Sequence, residues 1–233
     1  MATIQELTIA DEPATWAALG FEVERDVCRV GNVPIRLAGS DARGSAASGL
    51  VGWALRGITR ERLDGLPTRR ADDAASLVGA ATGAGPADPD QTSFAGPVPT
   101  THPIGITALD HVVAITPALD RTVAALQAAG LDLRRVREEP TPAGAPRQAF
   151  FRLGEVILEV VQAPEDAIER SGGPDGPAFF WGLAFKVADL DATVAAIGEE
   201  RCSPPRPAVQ RGRRIATLRR SAGLALPVAL MTE

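Results

Sequence analysis

One order of elements, β-α-β-β-β, recurs along this chain, and that recurrence constrains the fold more than any single residue does. The clearest copy opens with "ITALDHVVAI" as a strand. It continues into "TPALDRTVAALQAAG" as a helix, with Thr116 as N-cap, Pro117 at the first helical position and Gly130 as terminator. The strand-like runs "LDLRRVRE", "RQAFFRL" and "VILEVVQ" follow, the last two joined by a Gly154-Glu155 turn. A further copy starts at "FFWGLAFKV", enters the helix "ADLDATVAAIG" and ends with "RRIATLRR" and "LPVALMT".

The N-terminal part repeats the order. "TIQELTIA" reads as a strand, "EPATWAALGF" as a short helix with Pro13 near its start and Gly20 at its end, and "FEVERD", "VCRV" and "VPIRLAG" as strands with a Gly31-Asn32 turn. Letters repeat as well as periods: "ELTIADEPATWAALGFEV" lies over "HVVAITPALDRTVAALQAAGLDL", and "VGNVPIRL" over "LGEVILEV". Similarity of this extent points to duplication. A fourth copy begins at residues 49 to 69, resembling "FFWGLAFKVADLDATVAA" in position, and then dissolves into a stretch rich in Ala, Gly, Pro and Asp. That stretch reads as a poorly ordered connection with one helical turn around Ala74 to Val78. The expected division is a shortened module over 1–69, a linker over 70–104 and a complete two-module domain over 105–233. The class is α+β, with tandem βαβββ modules forming a curved mixed β-sheet cleft and helices on the outside.

Composition removes several functions. At 233 residues and 45% hydrophobic content the chain can bury a sizeable core. Its net charge is −5 and its basic residues are scattered, so the electrostatic footprint of nucleic-acid binding is missing. No apolar run approaches the ~20 residues needed to span a bilayer, and the N-terminus lacks the basic and apolar regions of a secretory signal. A cytoplasmic protein is expected. Cys28 and Cys202 are too few for a disulfide framework and read as reduced structural thiols.

Tandem β-α-β-β-β units opening with "LDHVVAITPALDRTVAAL" and closing on "LGEVILEVV" resemble the vicinal oxygen chelate superfamily, which includes glyoxalase I, extradiol dioxygenases, methylmalonyl-CoA epimerase and the bleomycin resistance proteins. The resemblance is strongest over 105 to 233 and partial over 1 to 69. It implies a cleft between paired modules and a divalent metal (Zn, Mn, Fe or Ni) held by the first and last strands of each. By that resemblance His111 stands at the first-strand ligand and Glu159 at the fourth-strand carboxylate, which would also be the catalytic acid or base. The other half of the set departs from the family pattern, since Gly182 replaces the second histidine and Ala229 the second carboxylate. The N-terminal module places Glu6 at the position of His111 and Arg36 at that of Glu159, a combination suited to an ion pair rather than to a cation.

Each residue also has a plainer reading. His111, one of two histidines, reads equally as a half-buried residue hydrogen-bonded to a neighbour. Glu159 within an apolar strand requires a partner if buried: His111, an arginine such as Arg152 or Arg214, or a metal; a surface position would need none. Gln148, Phe150 and Arg152 alternate along one strand and line the cleft as substrate contacts, or Phe150 enters the core and the polar pair faces water. Trp53 and Trp181 occupy related strands, as core packing or, for Trp181, as a substrate contact. His102 reads as a loop residue. No phosphate loop, nucleophile elbow or paired-cysteine zinc pattern is present. Two functions follow: a metal-assisted lyase, isomerase or dioxygenase-type enzyme acting on a small molecule, or a metal-free binding or sequestration protein like the bleomycin-resistance branch. A truncated module leaves apolar surface to be covered by the C-terminal half or by a second chain, so a homodimer is expected in the second case.

Overall fold

A computed structural model of the protein describes residues 1–31, 33–44, 46–71, 103–141, 144–170 and 173–233. His102 and the helical turn expected at 74–78 lie outside the described residues. The first half forms a six-stranded mixed sheet from β1 (Thr3–Ile9), β2 (Val23–Glu24), β3 (Val27–Val30), β4 (Val33–Leu37), β5 (Leu50–Arg56) and β6 (Thr68–Arg70), in the order β2-β3-β4-β1-β5-β6. The second half forms an eight-stranded mixed sheet from β7 (Ile106–Thr116), β8 (Asp132–Arg137), β9 (Gln148–Leu153), β10 (Val156–Gln162), β11 (Phe179–Val187), β12 (Arg206–Pro207), β13 (Arg214–Thr217) and β14 (Val228–Thr232). Its order is β12-β13-β14-β11-β7-β10-β9-β8. Taken from the β8 edge, the larger sheet is matched position for position by the smaller one, which among the described residues ends at β6, the counterpart of β14.

Helices connect the strands: α1 (Pro13–Ala18), α2 (Leu119–Ala128), α3 (Glu165–Arg170) and α4 (Leu190–Ile197). None among the described residues is long and apolar enough to cross a membrane. Helix α2 starts at Leu119 rather than at the expected Pro117, because Thr116 continues the β7 ladder opposite Gln162 and turns its hydroxyl to accept the Ala118 N–H at 3.1 Å. Helix α4 is capped by Asp189, whose carboxylate accepts the Ala192 N–H at 3.0 Å. Where α4, β12 and β13 follow β11 in the second half, the first half has only the connection 57–67 between β5 and β6.

The expected hairpins between β3 and β4 and between β9 and β10 both form, and each opens on a glycine at positive φ, Gly31 at +57° and Gly154 at +69°. The turns then make reciprocal contacts, since a Cβ at Gly31 would lie 3.3 Å from Thr107 O, and one at Gly154 would lie 3.3 Å from Thr3 Cγ2. Each half thus touches the first strand of the other with the same turn.

The two sheets lie back to back. Leu7, Ile9, Ile35 and Leu55 of the first and Val112, Leu158, Phe151 and Phe185 of the second belong to one buried cluster. Aromatic rings close the seam, with Trp53 against Phe180 at 4.9 Å between centroids and Trp16 and Phe21 against Phe185 at 6.2 and 5.7 Å. Full burial of each such side chain contributes roughly 1.5–3 kcal/mol. The apolar face of the shortened half is therefore covered within the same chain. The opposite face of each sheet is open.

Candidate functional site

Alternation decides which side chains reach the open face of the second sheet. On β10, Val156, Leu158 and Val160 are buried, while Ile157, Glu159 and Val161 are partly exposed. On β9, Ala149, Phe151 and Leu153 point to the core, which leaves Gln148, Phe150 and Arg152 on the other side. The ladder sets Glu159 directly opposite Phe150, Ile157 opposite Arg152 and Val161 opposite Gln148. Phe150 thus lies beside Glu159 on the open face. Arg152 bonds the Gly154 carbonyl at 2.9 Å and leans away from Glu159.

His111 reaches this face together with its sequence neighbour Asp110. The β7–β11 pairing shifts between Leu109↔Phe185 and His111↔Ala184, so Asp110 is an extra residue on β7. Such a bulge turns two consecutive side chains to one side. Asp110 Oδ2 lies 2.7 Å from His111 Nδ1, and Arg213 grips the same carboxylate through Nη2 at 2.9 Å and Nη1 at 3.3 Å. Burial works against the charge of Asp110, but hydrogen bonds from His111 and Arg213 prevail and hold its pKa down to about 2. An ionised carboxylate only accepts, so Nδ1 carries the hydrogen and Nε2 is the nitrogen left for chemistry.

That nitrogen faces Glu159, with Nε2 3.6 Å from Oε2. Gln148 Nε2 donates to the other carboxylate oxygen of Glu159. Burial raises the pKa of Glu159, the charge of Asp110 adds to the rise, and His111 opposes it. Its partners are His111 and Gln148 rather than Arg152 or Arg214, the latter bonding Asp191 at 3.0 Å. Trp181 occupies a second bulge, on β11 between Phe180 and Gly182, and is 44% exposed on the side opposite Phe180. The sequence reading missed Asp110 and Arg213; a signal for the first was available in two consecutive polar residues within an apolar strand.

Two ligands of a family-type metal site are missing, and one cannot be restored without moving backbone. A Cβ at Gly182 would lie 2.6 Å from the Pro227 carbonyl oxygen. Ala229 supplies no donor, and the carboxylate of Asp110 is taken up by His111 and Arg213. Among the described residues, no group of three or more His, Cys, Asp or Glu is placed to hold a metal ion. The residues present do not fit the four-ligand centre that the resemblance implies.

The first sheet carries the equivalent positions with different chemistry. Glu159 pairs with Val113, two residues after His111, and Arg36 pairs with Thr8, two residues after Glu6. Glu6 and Arg36 form the expected ion pair at 3.1 Å, and Arg69 adds a contact to Glu6 at 3.4 Å. Both bulges are repeated, Gln5 standing for Asp110 and Val51 for Trp181. Gly52 stands for Gly182, and the N–H of the next residue bonds a proline carbonyl in both halves, Trp53 to Pro67 at 3.2 Å and Leu183 to Pro227 at 3.0 Å. Trp53 and Trp181 thus sit two positions apart in the repeat and on opposite faces, Trp53 being buried.

No protein-family model and no curated protein matches the sequence. Among solved structures, a xylose isomerase-like TIM barrel/4-hydroxyphenylpyruvate dioxygenase fusion protein is similar over 99% of this chain and 48% of its own, at 14% identity and a TM-score of 0.56. The chain thus spans about half the length of that protein. Methylmalonyl-CoA epimerase from Mycobacterium tuberculosis is similar over 55% of this chain and 89% of its own, at 18% identity and a TM-score of 0.44. A Streptomyces coelicolor methylmalonyl-CoA epimerase in complex with 2-nitronate-propionyl-CoA covers 55% of this chain and 98% of its own, at 23% identity and a TM-score of 0.44. With the paired βαβββ topology, the full-length similarity gives the protein the vicinal oxygen chelate, or glyoxalase-like, fold.

Proposed function

We propose that the open face of the second sheet binds a small molecule and that His111 and Glu159 serve there as a metal-independent acid–base pair. One observation carries this reading: Asp110 fixes the hydrogen on Nδ1, which turns the free Nε2 toward a carboxylate whose burial favours its neutral form. An imidazole and a carboxyl group that face one another on an open sheet face can remove a proton from a bound ligand and return it. Phe150 and Trp181 offer apolar contact beside the pair, as small-molecule sites require. The reaction class is isomerase- or lyase-type proton transfer next to a carbonyl, with Glu159 and His111 as the exchanging groups and Gln148 as a positioning residue.

Deuterium incorporation tests it. The protein is incubated in D2O with a panel of 2-oxo acids and α-hydroxyketones, and C–H exchange is followed by proton NMR. We expect exchange of at least one compound above the buffer rate, undiminished by EDTA and lost in His111→Ala and Glu159→Gln. Exchange that persists in both variants, exchange abolished by EDTA, or binding of a compound without exchange would each overturn the proposal.

A further inference from the structure

The open face of the first sheet holds a feature that the acid–base reading leaves unused. A depression of about 300 Å³ lies between β1, β5 and β6, lined by Thr8, Gly52, Ala54, Pro67, Thr68 and Arg69. That volume lies at the lower end of small-molecule sites, ~300–1,000 Å³. Its floor is open because Gly52 and Ala54 are small; a Cβ at Gly52 would lie 3.3 Å from Pro67 O. By strand order, register and bulges it stands where the cleft of the second sheet stands.

The charges differ in kind from those around His111. Glu6 is buried, and the two guanidinium groups beside it are Arg36 and Arg69. Arg36 also binds Asp26 at 2.8 Å. Arg69 has its Nη2 on Glu6 at 3.4 Å, a long contact, and 65% of its side chain is exposed at the rim of the depression. A guanidinium offers five donors in a planar fork suited to carboxylate and phosphate. One long bond to Glu6 does not exhaust it. Glu6 thus holds the arginine at the rim of the depression.

We infer that the first sheet carries a second ligand site, which takes a small oxyanion, carboxylate or phosphate, on Arg69 in the depression over Gly52 and Ala54. The chain has three tryptophans, and each reports a different place. Trp53 lines the depression from the strand beneath it and keeps its buried indole Nε1 on Thr68 Oγ1 at 2.7 Å, Trp16 Nε1 donates to Asp11 Oδ2 at 2.9 Å in the core, and Trp181 lies on the open face of the second sheet.

Indole N–H resonances of the 15N-labelled protein are followed while malonate or inorganic phosphate is added at constant ionic strength, with Trp53 identified by Trp53→Phe. We expect a saturable shift of the Trp53 signal with malonate, phosphate or both, the stronger of the two naming the ligand chemistry. Apparent affinity should fall at least tenfold in Arg69→Gln, while an unmoved Trp16 signal shows that the variant is folded. An equal shift with chloride, an unsaturated response to both anions, unchanged affinity in Arg69→Gln, or movement of Trp181 in place of Trp53 overturns the inference. None of these readouts depends on His111 or Glu159, so the two proposals fail separately.

Discussion

Gly182 and Pro227 approach so closely that a methyl group on the glycine would sit 2.6 Å from the proline carbonyl oxygen, whereas the equivalent distance from Gly52 to Pro67 is 3.3 Å. The same juncture is therefore tight in one half and looser in the other. Gly182→Ala should lower stability by about 1–3 kcal/mol, the usual cost of overpacking, and Gly52→Ala by less. Urea unfolding of the two variants checks the order. Equal losses would show that the second juncture relaxes as readily as the first.

Asp110 and Glu159 should respond to pH with opposite signs. The pKa of Asp110 in the folded protein, about 2, is below its ordinary value of 3.8. Its contribution is therefore present above about pH 4 and lost as pH falls toward about 2. Asp110→Asn should cost about 2 kcal/mol near neutrality, with the gap from wild type closing over that acid range. Glu159 has a raised pKa, so its ionised form works against the fold, a penalty that sets in as pH rises through the unfolded value of 4.5. Glu159→Gln should therefore gain stability relative to wild type as pH rises. Thermal unfolding of both variants from acid to neutral pH provides the comparison, and parallel curves would refute it.

Both cysteines should be inert in the native state. Cys28 and Cys202 are buried, and burial pushes the Cys28 thiol up to about 12 and raises that of Cys202. Only the thiolate reacts appreciably with disulfide reagents. Ellman's reagent at mildly alkaline pH should leave the folded protein unlabelled and modify two thiols after denaturation. Fast labelling of the native protein would show that one of these sites opens.

A dimer is not required to cover the shortened half. Its apolar face is packed on the second sheet, and the large apolar side chains exposed among the described residues, Met1, Trp181 and Val209, are scattered. The edges of the second sheet carry Pro207 on β12 and Arg134 and Arg135 on β8, residues that discourage pairing with another chain. Sedimentation at micromolar concentration should give a monomer. A dimer that persists on dilution would point to an interface these features do not account for.

Much of this was legible in the letters. Alternating apolar residues and the Gly31 and Gly154 turns define the strands, and the superposition of "ELTIADEP" on "HVVAITPA" places Glu6 on His111. The meeting of His111 with Glu159 follows from that alignment once strands pair in order. The bulges were not legible, because they depend on the register between β7 and β11, whose residues meet across about seventy positions of sequence. The adjacent polar pair Asp110-His111 inside an apolar strand hints at a break in alternation, but only the bulge brings that carboxylate to its neighbour's ring. Arg213 was hidden for a related reason: it precedes β13 and reaches Asp110 across the β14 end of the sheet, a contact that no local pattern encodes. The fourth copy was partly visible, but β6 is three residues long and too short to show a period.

The back-to-back arrangement has an evolutionary corollary. Two hollows that share a wall and open in opposite directions can exchange residues independently, since a new charge in one does not touch the other. The repeated scaffold presents an imidazole with an acid on one flank and an acid between two arginines on the other.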